Sequence, residues 1–111
     1  MKIPVGQISA VVAEYFNSVL MPAAAKAGGI MPFTVGMASV IAQRNTPVVI
    51  DKYLPPLTAI GLVDAENRLD IDAVYEAAVK SFEKNPFTIA GYRPTREDFD
   101  AVKSIMQKYG G

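Results

Sequence analysis

Apolar side chains recur at every third or fourth position near the start of the chain. Ile8, Val11, Val12, Tyr15, Phe16, Val19 and Leu20 share one face of an α-helix, with Pro4 suited to its first turn. The ring of Pro22 would meet the carbonyl of Ser18, which predicts a kink or an end near Leu20 or Met21, with Ala23 to Ala27 resuming the helix. Gly28 and Gly29 supply backbone freedom at that end, and Pro32 suits the opening of a second helix, Phe33 to about Arg44. This helix carries Phe33, Met37, Val40, Ile41 and Arg44 along one side, while Gly36, Ala38 and Ala42 keep the rest slim. Asn45 is expected to end it. Thr46 followed by Pro47 reads as a cap and first position of a third helix bearing Val49, Ile50, Tyr53 and Leu54. Pro55 and Pro56 should break that helix, with a last turn from Leu57 to Ile60 closed by Gly61.

From Leu62 the texture changes. Leu62 and Val63, a polar stretch Asp64 to Asn67, then Arg68 to Asp70 read as a hairpin. Asp70 can cap a helix running to Asn85, with Ile71, Val74, Ala78 and Phe82 inward and Pro86 beyond. Phe87 to Tyr92 alternates as a half-buried strand would, so it is expected to join the hairpin. Thr95 with Asp98 resembles a capping box opening a final helix whose stripe is Phe99, Val102, Ile105, Met106 and Tyr109, with Gly110 and Gly111 finishing the chain.

The fold class is therefore α+β and mainly helical: four or five helices, with a small antiparallel β-hairpin or three-stranded sheet in the C-terminal half. At 111 residues the chain has room for one hydrophobic core, so a single domain over 1–111 is expected, with a helical half about 1–61 and a more charged α/β half about 62–111.

Composition adds three constraints. Half of the residues are apolar (50%), more than so small a domain hides, so apolar surface should remain on the monomer and self-association is its natural outlet. The 11 basic residues balance the 11 acidic ones, leaving no long-range field to gather nucleic acid or anionic lipid. Without cysteine or histidine, thiolate and imidazole chemistry are absent, so any catalysis would use carboxylates, Lys, Tyr, Ser or Thr. Pro4, Gln7, Ser9 and Glu14 interrupt an export signal, and Gly28, Gly29 and Pro32 interrupt the chargeless stretch Ala27 to Gln43. A cytoplasmic protein with no membrane span is expected.

Four groups of residues invite a functional reading. Asp64, Glu66, Asp70 and Asp72 could suggest a calcium or magnesium loop. A loop begun at Asp64 would, however, place Arg68, Leu69 and Tyr75 where an oxygen ligand, a glycine and a glutamate are needed. Turn and cap roles explain the same acids. Secondly, the helices meeting at Asn45 and Thr46, followed by a strand pair, resemble a winged helix-turn-helix across Phe33 to Ile71. A nucleic-acid-reading role is what that resemblance implies, although Pro47 to Ile60 offers only Lys52 and Thr58 to base edges and Arg68 one phosphate contact. Thirdly, Arg93, Arg96 and Lys103 beside Tyr92 form a small basic face diluted by Glu97, Asp98 and Asp100, as on a solvated helix surface. Finally, Glu14 lies beside an apolar stripe, and a raised pKa there would mark it as functional.

Met21, Met31 and Met37 sit among Ala23, Ala24, Ala25, Gly28, Gly29, Gly36 and Ala38, a neighbourhood suited to close helix packing. The expected function is a non-enzymatic interaction or assembly subunit forming a homo-oligomer through its N-terminal helices. The alternatives are a winged-helix-like nucleic-acid-binding module and an enzyme working with carboxylates alone. No residue is assigned a catalytic, cofactor-binding or metal-binding role.

Overall fold

A computed structural model describes residues 1–110; the expected chain end at Gly111 lies outside the described residues. Strand β1 (Lys2–Pro4) leads into helix α1 (Val5–Ala27), and α2 (Met31–Ala59) follows. Strand β2 (Arg68–Asp70), helix α3 (Ile71–Lys84) and helix α4 (Arg96–Tyr109) complete the order. Over the described residues the chain is thus mainly helical, with four helices and one two-stranded antiparallel sheet.

Helix α1 does not end at Pro22. It opens as a 3₁₀ turn, runs as α-helix over Ile8–Tyr15, passes through a π segment at Phe16–Leu20 and resumes over Met21–Ala27. The Met21 N–H donates to the Phe16 carbonyl five residues back, which lets the chain absorb the misfit of Pro22 without breaking. The π segment also serves the core. Nine residues at about 100° each would point Leu20 away from Val11 by about 180°, whereas the π turn restores about one residue of rotation. Val11, Tyr15, Phe16, Leu20 and Ala24 are all buried as a result.

Gly28 (φ 73°) and Gly29 (φ 61°) then reverse the chain in left-handed conformations, where a Cβ would be strained. Helix α2 follows as one 29-residue rod containing Pro47, Pro55 and Pro56. This corrects three expectations: Asn45 does not end a helix, Thr46 does not cap one, and Pro55 and Pro56 do not break one. The turn on which the winged helix-turn-helix resemblance depended is absent. Each proline deprives the carbonyl four residues earlier of its donor, but those carbonyls belong to Gln43, Asp51 and Lys52, all exposed residues that water can reach. The Thr46 hydroxyl instead donates to the Ala42 carbonyl at 2.6 Å, a local back-bond compatible with the helix.

The expected C-terminal hairpin is also corrected. Its turn forms: the Asp64 N–H donates to the Arg68 carbonyl at 2.9 Å and the Asn67 N–H to the Asp64 carbonyl at 3.1 Å. The strand before it is reduced to a single bridge, Val63 to Leu69. The full ladder of β2 is with β1, pairing Lys2 with Asp70, Ile3 with Leu69 and Pro4 with Arg68. Phe87 to Tyr92 does not join as a third strand. Ile89 pairs with Tyr92 alone, around Ala90 and Gly91 at positive φ, so the segment folds back on itself.

The two C-terminal helices follow their local signals. The Asp70 carboxylate accepts from the Ala73 N–H at 3.1 Å, and Thr95 with Asp98 forms a reciprocal capping box. Phe82 stacks against Phe87 and Phe99 with ring centroids 5.0 and 5.1 Å away, tying α3 to α4. Ile3 and Ile71 are completely buried beside Ile105 and Met106. Gly110 lies so close to β1 that a Cβ there would sit 2.7 Å from the Lys2 carbonyl oxygen.

Two substitutions test this architecture by denaturant unfolding. Ile3→Ala should cost about 2–5 kcal/mol, because it opens a cavity where β1 packs in the core beside Ile71, Ile105 and Met106. Asp70→Ala should cost about 1 kcal/mol through loss of the cap. An Ile3→Ala protein as stable as the parent would contradict the pairing of β1.

Candidate functional site

Helix α2 is apolar on opposite sides. Towards α1 it presents Val35, Ser39 and Thr46, buried, with Ala38 and Ala42 partly buried. Away from α1 it presents Phe33, Met37, Val40, Ile41 and Val48, which fall within a wedge of about 100° around the helix. Phe33 is 70% exposed, Met37 52% and Val48 66%. Apart from Val35, the side chains that this stretch turns towards α1 are small, while Phe33, Met37, Val40, Ile41 and Val48 face solvent. Ile30 at one end and Ile60 at the other extend the exposed apolar surface.

A second apolar feature runs beside α1. A cleft of about 500 Å³ lies between α1 and the middle of α2, with Thr46, Val49 and Ile50 on the α2 side. A further hollow of about 320 Å³ lies between α1, α3 and α4 and shares Ile8, Val11, Val12, Tyr15, Ile89 and Val102 with the first. Burial first, and then the Asp98 carboxylate, push the Tyr15 phenol well above its ordinary pKa, so it stays protonated. Asp98 is itself buried and accepts from the Tyr92 hydroxyl at 2.9 Å and from the Thr95 N–H at 2.6 Å. These groups serve the cap, and the hollows otherwise offer hydrocarbon.

The acidic residues singled out in sequence are distributed rather than gathered. Asp64 organises its turn, accepting from the Glu66 and Arg68 N–H groups at 2.9 Å each and pairing with Lys2 and Arg68 at 3.0 Å. Partial burial raises its pKa, but the Arg68 N–H, the Lys2 ammonium, the Glu66 N–H and the Arg68 guanidinium outweigh this and bring it to about 2. Glu66 pairs with Arg68 at 3.5 Å, Asp70 caps α3, and Asp72 pairs with Lys103 at 3.1 Å and the terminal amine at 3.6 Å. Among the described residues no three acidic side chains converge as a metal site would require.

The basic face is engaged as well. Tyr75 lies between Lys103, 4.7 Å from its ring centroid, and Arg96, whose Nε donates to the Tyr75 hydroxyl at 3.0 Å. That hydroxyl in turn donates to Asp100. Arg96 also pairs with Glu83 at 3.6 Å, Tyr92 belongs to the Asp98 cap, and Arg93 is exposed. Glu14 is held by Lys108 and Tyr109, each at 2.8 Å. The hydrogen bond from Lys108, followed by that from Tyr109, lowers its pKa, the opposite of the raised value that would have marked a functional acid.

By length and composition, α1 (Val5–Ala27) is apolar enough to cross a membrane. In this fold its buried residues form the centre of the core. Comparison with known protein families, characterised proteins and solved structures finds no match for the chain.

The carboxylate partners predict an acid-sensitive turn. Asp64 moves from its ordinary 3.8 to about 2, so its stabilising effect is complete above about pH 4 and is lost as pH falls through 2, where the folded state also takes up the proton. Thermal melts of the parent should decline across that window. Asp64→Asn should melt lower at neutral pH and show a shallower decline, and an unchanged slope would show that Asp64 does not carry the effect.

Proposed function

We propose that this chain is a non-enzymatic assembly subunit that associates with itself through its N-terminal helices, using the outward face of α2. The observation that supports this reading is the exposed stripe: Phe33, Met37, Val40, Ile41 and Val48 stay in water while the helix already packs another side, with Val35, Ser39 and Thr46, into the core. Contiguous apolar surface of this kind gains by association at about 25 cal/mol per Å² removed from water. A closed two-fold dimer is the commonest result. The partner is a second copy rather than nucleic acid, because the stripe lacks the row of cations that phosphate binding needs.

Met37 distinguishes an interface from a core. Its side chain is half exposed in the monomer, so Met37→Glu should leave circular dichroism and cooperative unfolding intact. In the dimer the same carboxylate would be buried without a partner, weakening association about a hundredfold or more. Light scattering across a concentration series should show a parent dimer that persists at high salt, since its contact is apolar. A parent protein that remains monomeric at high concentration would remove the proposal.

A further inference from the structure

We propose that the apolar space beside α1 binds a small, neutral, mostly hydrocarbon molecule carrying one hydrogen-bond acceptor, a medium-chain ester or ketone, and that the Tyr15 hydroxyl donates to that acceptor.

The handle is a phenol that the chain itself leaves without a partner. Tyr75, Tyr92 and Tyr109 donate their hydroxyls to Asp100, Asp98 and Glu14. Tyr15 is only 9% exposed, yet its hydroxyl makes no hydrogen bond among the described residues. Every fully enclosed polar side-chain atom among those residues has a partner. The Tyr15 oxygen is therefore not enclosed: it opens on the space that its side chain lines, the cleft of about 500 Å³ towards α2 and the hollow of about 320 Å³ towards α3 and α4. Phenylalanine would pack the same ring without desolvating a hydroxyl. The hydroxyl gains when a molecule brought into the space accepts from it.

The surroundings select the molecule. Both volumes fall in the range of about 300–1,000 Å³ usual for small-molecule sites. Ile8, Val11, Val12, Ile89 and Val102 line both, so the body of the ligand meets hydrocarbon. Neither is lined by Lys or Arg, and the charged side chain present is Asp98. An anionic head would enter beside a carboxylate with no cation to meet it, which excludes a free fatty acid. Asp98 already accepts from Tyr92 and Thr95, and Tyr15 stays protonated, so the group on offer is a donor and calls for an acceptor. Thr46 and Val49 form part of the α2 wall, on the side of that helix opposite the exposed stripe. The site is thus separate from the surface assigned to self-association.

Nuclear magnetic resonance titrations of the isotope-labelled full chain test the site. Methyl octanoate should saturate it, with shifts centred on Val12, Tyr15, Ile89 and Val102. Octane, which keeps the hydrocarbon and lacks the acceptor, should bind about five- to tenfold more weakly. Tyr15→Phe should weaken the ester by the same factor, leave octane unchanged and melt no lower than the parent, because the free protein loses no bond. Val12→Trp, filling the space from a part-exposed position, should abolish binding of both probes. Octanoate and octylammonium should bind at least about tenfold more weakly than the ester. The proposal is overturned if no probe saturates the protein, if Tyr15→Phe leaves the ester affinity unchanged, or if either ion binds more tightly than the ester. Should Tyr15→Phe fail to fold, equal affinities of the parent for ester and octane would overturn it instead. Met37→Glu protein should bind the ester as the parent does, and affinity lost together with the dimer would move the ligand to the interface and end the proposal. A monomeric parent that binds the ester would remove the assembly reading and leave this site standing.

Discussion

The close contact of α1 with α2 is made by small side chains, and the remainder of the molecule is arranged around it. Ala24 is fully buried on α1, and Ala38, Ser39, Ala42 and Thr46 lie on the inward side of α2, the last two beside Ile8, Val11, Val12 and Tyr15. Larger residues on this side would force the two backbones apart and expose Val35 and Leu20, both completely buried. Where the inner side of α2 is slim, at Ala38, Ser39 and Ala42, the bulky neighbours Met37, Val40 and Ile41 point outward. The exposed stripe is thus a geometric consequence of the core rather than an independent decoration. Towards the middle of α2, the apolar cleft beside Thr46, Val49 and Ile50 marks where the two helices no longer fill the space between them.

Signals carried within a few residues were legible in sequence. The Asp70 cap, the Thr95 and Asp98 capping box, the two glycines after α1 and the apolar stripe of that helix all depend on neighbours in the chain. What was not legible depends on tertiary context. Pro47 was read as a helix start, because sequence does not reveal whether the carbonyl at Gln43 can find water once its donor is gone. Strand β1 has three residues, too few to display alternation, and its partner is more than sixty positions away. The hairpin was read from local alternation, whereas β2 takes its full ladder from this distant segment.

The candidate surface was half legible for a similar reason. Phe33, Met37, Val40 and Ile41 were grouped correctly on one side, but a helix apolar all round does not announce which side is inward. The charged residues were easier to notice and less informative. Asp64, Asp72, Glu14, Arg96 and Lys103 each hold a turn or fasten α4 to its neighbours, so their clustering in sequence reflects folding duties. Exposed pairs of this kind contribute little singly. Those on α4 fasten the last helix to α3 and α1.

The π segment in α1 gives the chain a concealed reading frame. Residues before Phe16 and after Leu20 belong to two helical phases offset by about one residue. Deleting any one residue within the segment would permit an uninterrupted α-helix and leave Leu20 and Ala24 near their present bearing relative to Val11 and Tyr15, whereas winding the segment as α-helix at unchanged length would swing them about 100° around the axis. Length and winding at this point are therefore coupled: one residue can go only if the π turn goes with it. In any set of related chains, a one-residue gap there would mark a straightened α1 that still turns the same side chains towards α2.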